Sequence, residues 1–153
     1  NSVPMRETIN AALKAATKAR DMRRVSTLRL VSAAIKDRDI AARGAGDEQA
    51  TDAQLLELFA KMIKQRKESQ KIYAEAGRTE LAEQEGAEAD IIRDFLPKQL
   101  SDADMSSAIA EAIAETGASG MRDMGKVMGV LKGRYAGQMD FGKASGLVKA
   151  QLS

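Results

Sequence analysis

Apolar side chains recur every three or four residues through most of this sequence, which is the spacing of one face of an α-helix. The pattern predicts four longer helices, over about 6–20, 24–43, 53–76 and 79–95, and three shorter ones, over 102–116, 121–134 and 141–152. No stretch alternates apolar and polar residues as a half-buried strand does. We therefore expect an all-α protein, with an N-terminal helical hairpin or bundle followed by a compact three-helix domain.

Residues that commonly start and stop helices stand at the predicted ends of the longer helices. Thr51 or Asp52 can cap the third helix, Gly77 follows its last turn, and Thr79 can cap the fourth. The apolar face of the fourth helix is predicted to carry Leu81, Ala89, Ile92 and Leu96.

The segment FLPKQLS, at residues 95–101, marks the clearest boundary in the chain. The proline disfavours helical geometry at the residue before it, and Ser101 with Asp104 matches a capping box. Gly117 is placed to end the helix that follows, and Asp140 to cap the last one.

These signals predict three parts. Residues 1–4 precede Met5 and are expected to be a leader outside the fold, residues 5–97 an N-terminal helical domain, and residues 98–153 the three-helix domain.

Charge is uneven although the net charge is only +2. Residues 14–29 carry six basic side chains and one acidic one, and the third helix carries a basic stripe at Lys61, Lys64, Lys67 and Lys71. Residues 75–94 are acidic, so the third and fourth helices are expected to form an antiparallel hairpin whose charges neutralise each other. A solvated helix surface is the alternative reading of each run.

Composition excludes several classes of function. Cysteine and histidine are absent, which removes thiol chemistry, Cys/His zinc sites and Ser-His-Asp triads. Aromatic residues make up 3%, too few for an aromatic base-stacking platform. No apolar run approaches the length of a membrane span. We expect a cytoplasmic protein with no membrane contact, no metal, no cofactor and no catalytic residues.

Two side-chain groups have competing interpretations. Acidic residues crowd the fourth helix at Glu83, Glu85, Glu88 and Asp90, and without histidine partners they are expected to be solvated rather than to hold a metal. Methionines at 121, 124 and 128 follow one predicted helix face, where they either fill the core or form a docking surface.

The three-helix domain carries the best candidate for a binding surface. Its basic residues and one glycine are the predicted nucleic-acid contacts: Arg122, Gly125, Lys126, Lys132, Arg134, Lys143 and Lys149. Glycine recurs every fourth residue at 125, 129, 133 and 137, but such a row drifts by about 40° per step, so we do not expect the four glycines to share a single helix face. We expect Gly137 to lie in a turn and Gly133 near a helix end, with Gly125 mid-helix, where a bare backbone lets a partner approach closely. The role of Gly129 stays open.

Four blocks of the sequence resemble the stand-alone YqeY proteins of the GatB/YqeY family. They are KARDMRRVSTLRLVSAAIK, QRKESQKIYAEAGRTELAEQE, FLPKQLSDADM and MRDMGKVMGVLKGRYAGQMD, in that order along the chain. The resemblance implies an all-helical fold whose C-terminal part is similar to the tail domain of the B subunit of tRNA-dependent amidotransferase. In that enzyme, the tail domain engages the tRNA body. QMDF departs from the family pattern, where a glycine often follows the aspartate.

Two hypotheses follow. The first is an accessory protein without catalysis of its own that binds tRNA or aminoacyl-tRNA. Describing it as an amidotransferase would then state its relatedness to that enzyme and not its chemistry. The second is a helical adaptor for a protein partner, for example of the translation machinery, which docks through the 53–96 hairpin and the methionine face.

Overall fold

The computed structural model describes residues 4–153, and the prediction of an all-α protein is confirmed: this part of the chain holds helices and no strand. The proposed leader falls mostly on residues 1–3, which lie outside the described residues. The helices are α1 (Met5–Ala19), α2 (Met22–Gly44), α3 (Asp52–Glu75), α4 (Thr79–Arg93), α5 (Asp102–Thr116), α6 (Met124–Arg134) and α7 (Phe141–Leu152). A single 3₁₀ turn, Met121–Asp123, precedes α6.

The chain forms two compact units, the first ending at Leu96 and the second spanning Pro97–Ser153. Each unit has its own apolar core. The core of the first unit is built from α1 to α4 with Ala50 and centres on Leu28, Leu55, Phe59 and Ile92. The core of the second unit centres on Ile109, Val127, Leu131, Ala144 and Val148, which come from α5, α6 and α7.

A two-residue turn joins α1 to α2. Arg20 adopts the left-handed conformation, with φ 58° and ψ 32°. Asp21 then caps α2, because its carboxylate accepts a hydrogen bond from the Arg24 amide at 3.2 Å. The backbone amide of Asp21 reaches back to the Ala16 carbonyl at 3.0 Å, which satisfies one of the free carbonyls at the end of α1.

A partly buried ion pair fixes the start of α1 against α2. The Arg6 guanidinium pairs with the Asp39 carboxylate and also donates to the Ala50 carbonyl at 2.8 Å. Asp39 in turn accepts a hydrogen bond from the Ala50 amide at 2.9 Å. Since the three residues lie far apart in sequence, this network ties α1, α2 and the loop before α3 together.

Helices α3 and α4 pack as the predicted hairpin. Thr51 forms a complete capping box with Gln54, and Gly77 ends the hairpin's first helix with φ 75°. Gly86 is buried where α4 meets α3: a Cβ at this position would stand 2.4 Å from the Gln70 side-chain nitrogen.

Several predictions about this hairpin are wrong. Arg78, not Thr79, is the N-cap of α4, and it makes no capping hydrogen bond through its side chain. Leu81, predicted to face inward, is exposed, because it lies in the first turn of α4, near the tip of the hairpin. The helix ends at Arg93 rather than at Phe95.

Hydrogen bonds at the helix ends define the second unit. Ser101 caps α5 by accepting from the Asp104 amide at 3.1 Å, which is one half of the predicted capping box. Gly117 ends α5 with φ 66°, as predicted. Asp140 caps α7 by accepting from the amides of Gly142 and Lys143, also as predicted.

Candidate nucleic-acid interface

The outward face of α6 is lined by glycine. Gly125, Gly129 and Gly133 are all exposed, and a Cβ added at any of them would meet no atom within 4 Å. Each step of four residues turns the helix by about 400°, so the three positions drift by only ~40° per step. They give α6 an open backbone surface about 12 Å long, opposite the buried residues Val127 and Leu131.

This glycine face also corrects one prediction. Gly125 is not mid-helix but lies in the first turn of α6, because the helix begins at Met124 after the 3₁₀ turn. Gly137 lies past the end of α6, with φ 75°, in the turn whose carbonyl accepts a hydrogen bond from the Gln99 side chain. Its role is therefore to shape the turn before the Asp140 cap.

Two lysines flank the glycine face. Lys126 and Lys132 each stand three residues from Gly129, one before and one after, which places them about 60° to either side of it. Both are exposed, and neither forms an ion pair with any residue in 4–153. The helix thus presents a bare strip of backbone between two cationic edges.

Arg122 lies in the 3₁₀ turn just before α6, with Asp123 next to it. The Asp123 carboxylate accepts a hydrogen bond from the Ser119 amide at 3.0 Å. This bond, together with the charges of Lys126 and Arg122, lowers the pKa of Asp123 below its ordinary value. Asp123 therefore stays ionised at neutral pH and offsets part of the positive charge at this end of α6.

Arg134 and Lys143, two of the predicted contacts, form ion pairs at the surface of the second unit. Arg134 bonds Glu115 at 2.8 Å, a contact that raises the pKa of the guanidinium. Lys143 bonds Asp102 at 2.6 Å. Asp102 and Glu115 stand near opposite ends of α5, so the two ion pairs are about 20 Å apart by helix rise.

The structure therefore groups the predicted residues unevenly. Gly125, Lys126 and Lys132 share one face of α6, and Arg122 lies in the turn before it. Lys149 is exposed in the last turn of α7. Sequence spacing showed which cations were close along α6, but only packing between helices reveals which ones have carboxylate partners.

The structure also shows where the acidic residues of α4 and the three methionines of the second unit lie. Glu88, predicted to be solvated, is buried and pairs with Arg66 at 3.2 Å. No cluster of acidic residues that could hold a metal ion is found within residues 4–153. Met124 and Met128 pack against the core of the second unit, whereas Met121 is exposed in the 3₁₀ turn, so the three methionines do not form one face.

The predicted neutralisation across the α3–α4 hairpin is largely wrong. Arg66–Glu88 is the one ion pair between the two helices in the described part of the chain. The lysines of the α3 stripe face outward instead. In the part of the chain that the structure describes, none of the helices has the length and apolar character that crossing a bilayer requires.

A family model described as Yqey-like protein matches residues 6–152. The chain belongs to the YqeY family. The match spans both units and confirms the resemblance drawn from the four sequence blocks.

Among curated proteins, this YqeY chain is similar to one of Lachancea thermotolerans named Altered inheritance of mitochondria protein 41, mitochondrial. The two are 30% identical over 105 residues, which cover 67% of this chain and 54% of the relative. The chain thus spans about half the length of the relative that it matches.

Proposed function

We propose that this YqeY chain binds RNA, with tRNA or aminoacyl-tRNA as the partner, and acts as an accessory protein without catalysis of its own. The contact surface is the glycine face of α6 with its flanking residues Arg122, Lys126 and Lys132. The observation that carries the proposal is the open backbone strip between two unpaired lysines.

The chemistry of this strip suits a sugar–phosphate backbone. Cationic side chains contact phosphate oxygens and release bound counterions, which gives affinity without reading sequence. Glycine removes the side chains that would hold such a backbone away from the helix. The lysines stand on both sides of the strip, so a strand lying along it meets positive charge at either edge.

Base recognition has little support in this unit. Its aromatic side chains, Tyr135 and Phe141, are partly buried and pack against the core rather than presenting a free ring face. Stacking on bases requires such a face. The contact proposed here therefore follows the shape and charge of folded RNA. The similarity of the C-terminal sequence blocks to the amidotransferase tail domain makes tRNA the partner to test first.

Charge reversal tests the proposal directly. The variant R122E/K126E/K132E should bind unfractionated tRNA more weakly than the native chain, with the salt dependence of log K reduced by about 2 to 3, because each phosphate contact contributes about 0.7 to 0.9. Fluorescence anisotropy across a salt series measures both quantities. The matched control is K61E/K64E/K67E on α3, which changes the net charge equally.

Comparing the two triple variants distinguishes an effect of the α6 face from a general effect of net charge. If both triple variants lose affinity equally, the α6 face has no special role. If the native chain shows no salt-dependent binding of tRNA, the proposal is wrong.

Gly125 tests the close approach separately from charge. Gly125→Leu fills open space, so the fold should be retained. We expect weaker tRNA binding with an unchanged salt dependence, because no cation is removed. Native-like binding by this variant would show that the partner does not reach the backbone at Gly125.

A protein adaptor remains the second candidate, for one specific reason. Ile72 and Leu81, near the turn between α3 and α4, are 64% and 38% exposed. Such side chains commonly anchor a partner helix or groove. I72S/L81S should then lose a partner that the native chain captures after nuclease treatment, whereas a partner lost on nuclease treatment alone supports RNA binding.

A further inference from the structure

A second group of cations surrounds the turn between α1 and α2. Lys14 and Lys18 stand four residues apart on α1, so they share one face. Arg20 lies in the turn, and Arg23 in the first turn of α2. All four are exposed, and we call them the α1–α2 corner.

The corner keeps its charge in the folded protein. None of its four cations forms an ion pair with a residue in 4–153. The neighbouring Arg24 is the one used internally: it bonds Asp94 at 3.4 Å and stands over the Phe95 ring. The adjacent carboxylate, Asp21, accepts from the Arg24 amide as the cap of α2.

Arg20 occupies a position that suits glycine better. Five described residues have a positive φ, and the other four are Gly46, Gly77, Gly117 and Gly137. A left-handed conformation is unfavourable for a residue with a Cβ. Glycine would therefore suit the backbone at Arg20 at least as well, and the Arg20 side chain forms no ion pair with a residue in 4–153.

Arg23 also occupies a position where its charge is unfavourable for the helix. The amino end of a helix is electropositive, so acidic residues are favoured in the first turn and cations are unfavourable. The first turn of α2 has no acidic residue and carries Arg23 and Arg24. Two unfavourable local choices therefore coincide at one corner, and both retain positive charge. Conflicts of this kind between sequence and fold concentrate at functional sites.

We infer that the α1–α2 corner is a second contact surface for the phosphate backbone of RNA, in a different unit from the α6 face. This inference extends the proposed RNA binding but has its own residues and its own test. The corner would meet phosphates through Lys14, Lys18, Arg20 and Arg23, four cations that the fold leaves free.

The surroundings of the corner favour RNA over a membrane surface. Membrane-surface helices bury a broad apolar face with aromatic or leucine side chains. Here Leu13 is partly packed against the core, and Met22 is the large apolar side chain exposed next to the corner.

Arg20→Gly gives the sharpest test, because folding and binding should change in opposite directions. The variant should unfold at the same or a higher denaturant concentration, since glycine suits φ 58°. It should bind tRNA roughly fivefold more weakly at 0.1 M salt, the effect of losing one phosphate contact. The matched control is Arg78→Gly in the α3–α4 turn, which removes one exposed cation and should leave binding unchanged.

Arg23→Glu is the second single variant. An acidic residue in the first turn of α2 should stabilise the helix, so loss of binding here cannot be attributed to loss of fold. If Arg20→Gly and Arg23→Glu both bind tRNA as tightly as the native chain, the inference is overturned.

A four-way comparison distinguishes this inference from the proposed function. It uses the native chain, K14E/K18E/R20G, R122E/K126E/K132E and the combination of the two. We expect each triple variant to weaken tRNA binding and the combination to abolish the salt-dependent part. Loss with the first alone supports the corner and contradicts the α6 proposal, while loss with the second alone contradicts the corner.

Anionic vesicles supply the competing outcome. Vesicles of phosphatidylcholine and phosphatidylglycerol at 3:1 (about 25% anionic lipid) should not bind the native chain appreciably at 0.1 M salt, because a few cations without an apolar face bind weakly. Vesicle binding that depends on Lys14, Lys18 and Arg20, without tRNA binding, would assign the corner to a membrane instead and overturn the inference.

Discussion

Asp39 is a carboxylate that the fold largely removes from water. Its side chain is 13% exposed and pairs with Arg6, and it also accepts the Ala50 amide. Hydrogen bonding from Arg6, followed by the Ala50 amide, lowers the pKa of Asp39 below its ordinary value. The folded state therefore holds this proton less tightly than the unfolded chain does.

The lowered pKa of Asp39 predicts a pH-dependent stability. Asp39→Asn should cost about 2 kcal/mol at pH 7, because a hydrogen bond to a charged group is lost. The contribution of the native carboxylate is complete above about pH 5 and is lost as the pH falls through its lower folded-state pKa. Urea unfolding of both proteins from pH 7 to pH 3 measures the difference, which should shrink at the acidic end. A constant difference would contradict this account.

Individual side chains marked the limit of sequence reasoning. The Asp140 cap and the Gly117 stop depend on neighbours within a few residues, and both were predicted correctly. Glu88, Arg134 and Lys143 depend on partners from other helices, which spacing along one helix does not reveal. Nothing in the sequence predicted the left-handed conformation of Arg20, because the glycine that usually adopts it at a helix end is absent.

The α3–α4 hairpin contains an ion pair whose two side chains are largely buried. Arg66 and Glu88 are 16% and 12% exposed in their side chains. Glu88→Ala should destabilise the first unit by about 1–3 kcal/mol, because it leaves a largely buried guanidinium unpaired. R66M/E88L should recover most of that loss, since apolar replacement of a buried pair is often neutral. Thermal unfolding of the native chain, the single and the double variant tests this. A double variant no better than the single would show that the pair has a specific role.

Helix α6 and the turn after it offer a comparison between two glycines. Gly129→Ala should stabilise the second unit by up to about 1 kcal/mol, because alanine is the better helix former and the added Cβ meets open space. Gly137→Ala should destabilise it by about 1–2 kcal/mol, because φ is 75° there. Chemical unfolding of both variants provides the measurement. Destabilisation by Gly129→Ala would mean that the glycine face is covered in solution.

Helices were predictable to the extent that their signals are local. The apolar spacing correctly placed α5 and α7, and Thr51 was among the predicted caps of α3. It failed at Met121, where three residues adopt a 3₁₀ turn before α6 begins. It also failed at Leu81, because an apolar residue near a hairpin tip can extend past the core that the rest of its helix contacts.

The molecule has two cores that share no residue. We expect Phe59→Ala to lower amide hydrogen-exchange protection within residues 5–96, and Leu131→Ala to lower it within 98–153, each by the several kcal/mol typical of a large core truncation. Hydrogen exchange followed by mass spectrometry separates the two regions in one experiment. Loss of protection across both units from either variant would show that they unfold as one.

Fold class and family were accessible from sequence because both depend on patterns spread over the whole chain. The binding surface was less accessible, because it depends on which cations the packed helices leave without partners. Lys126 and Lys132 remain free, whereas Arg134 and Lys143 do not. Packing between helices decides which cations lack a carboxylate partner, so composition alone overestimates the number of unpaired cations.

The glycine face of α6 is also a set of ready positions for site-specific chemistry. This chain contains no cysteine, so a single cysteine introduced at Gly125, Gly129 or Gly133 would be the one thiol among these 153 residues. Each position has room for a side chain, and together they sample about 12 Å of surface. A photo-crosslinker attached at each in turn would trace the path of a bound strand across the helix. The bare backbone that suits a partner therefore also provides the means to map that partner.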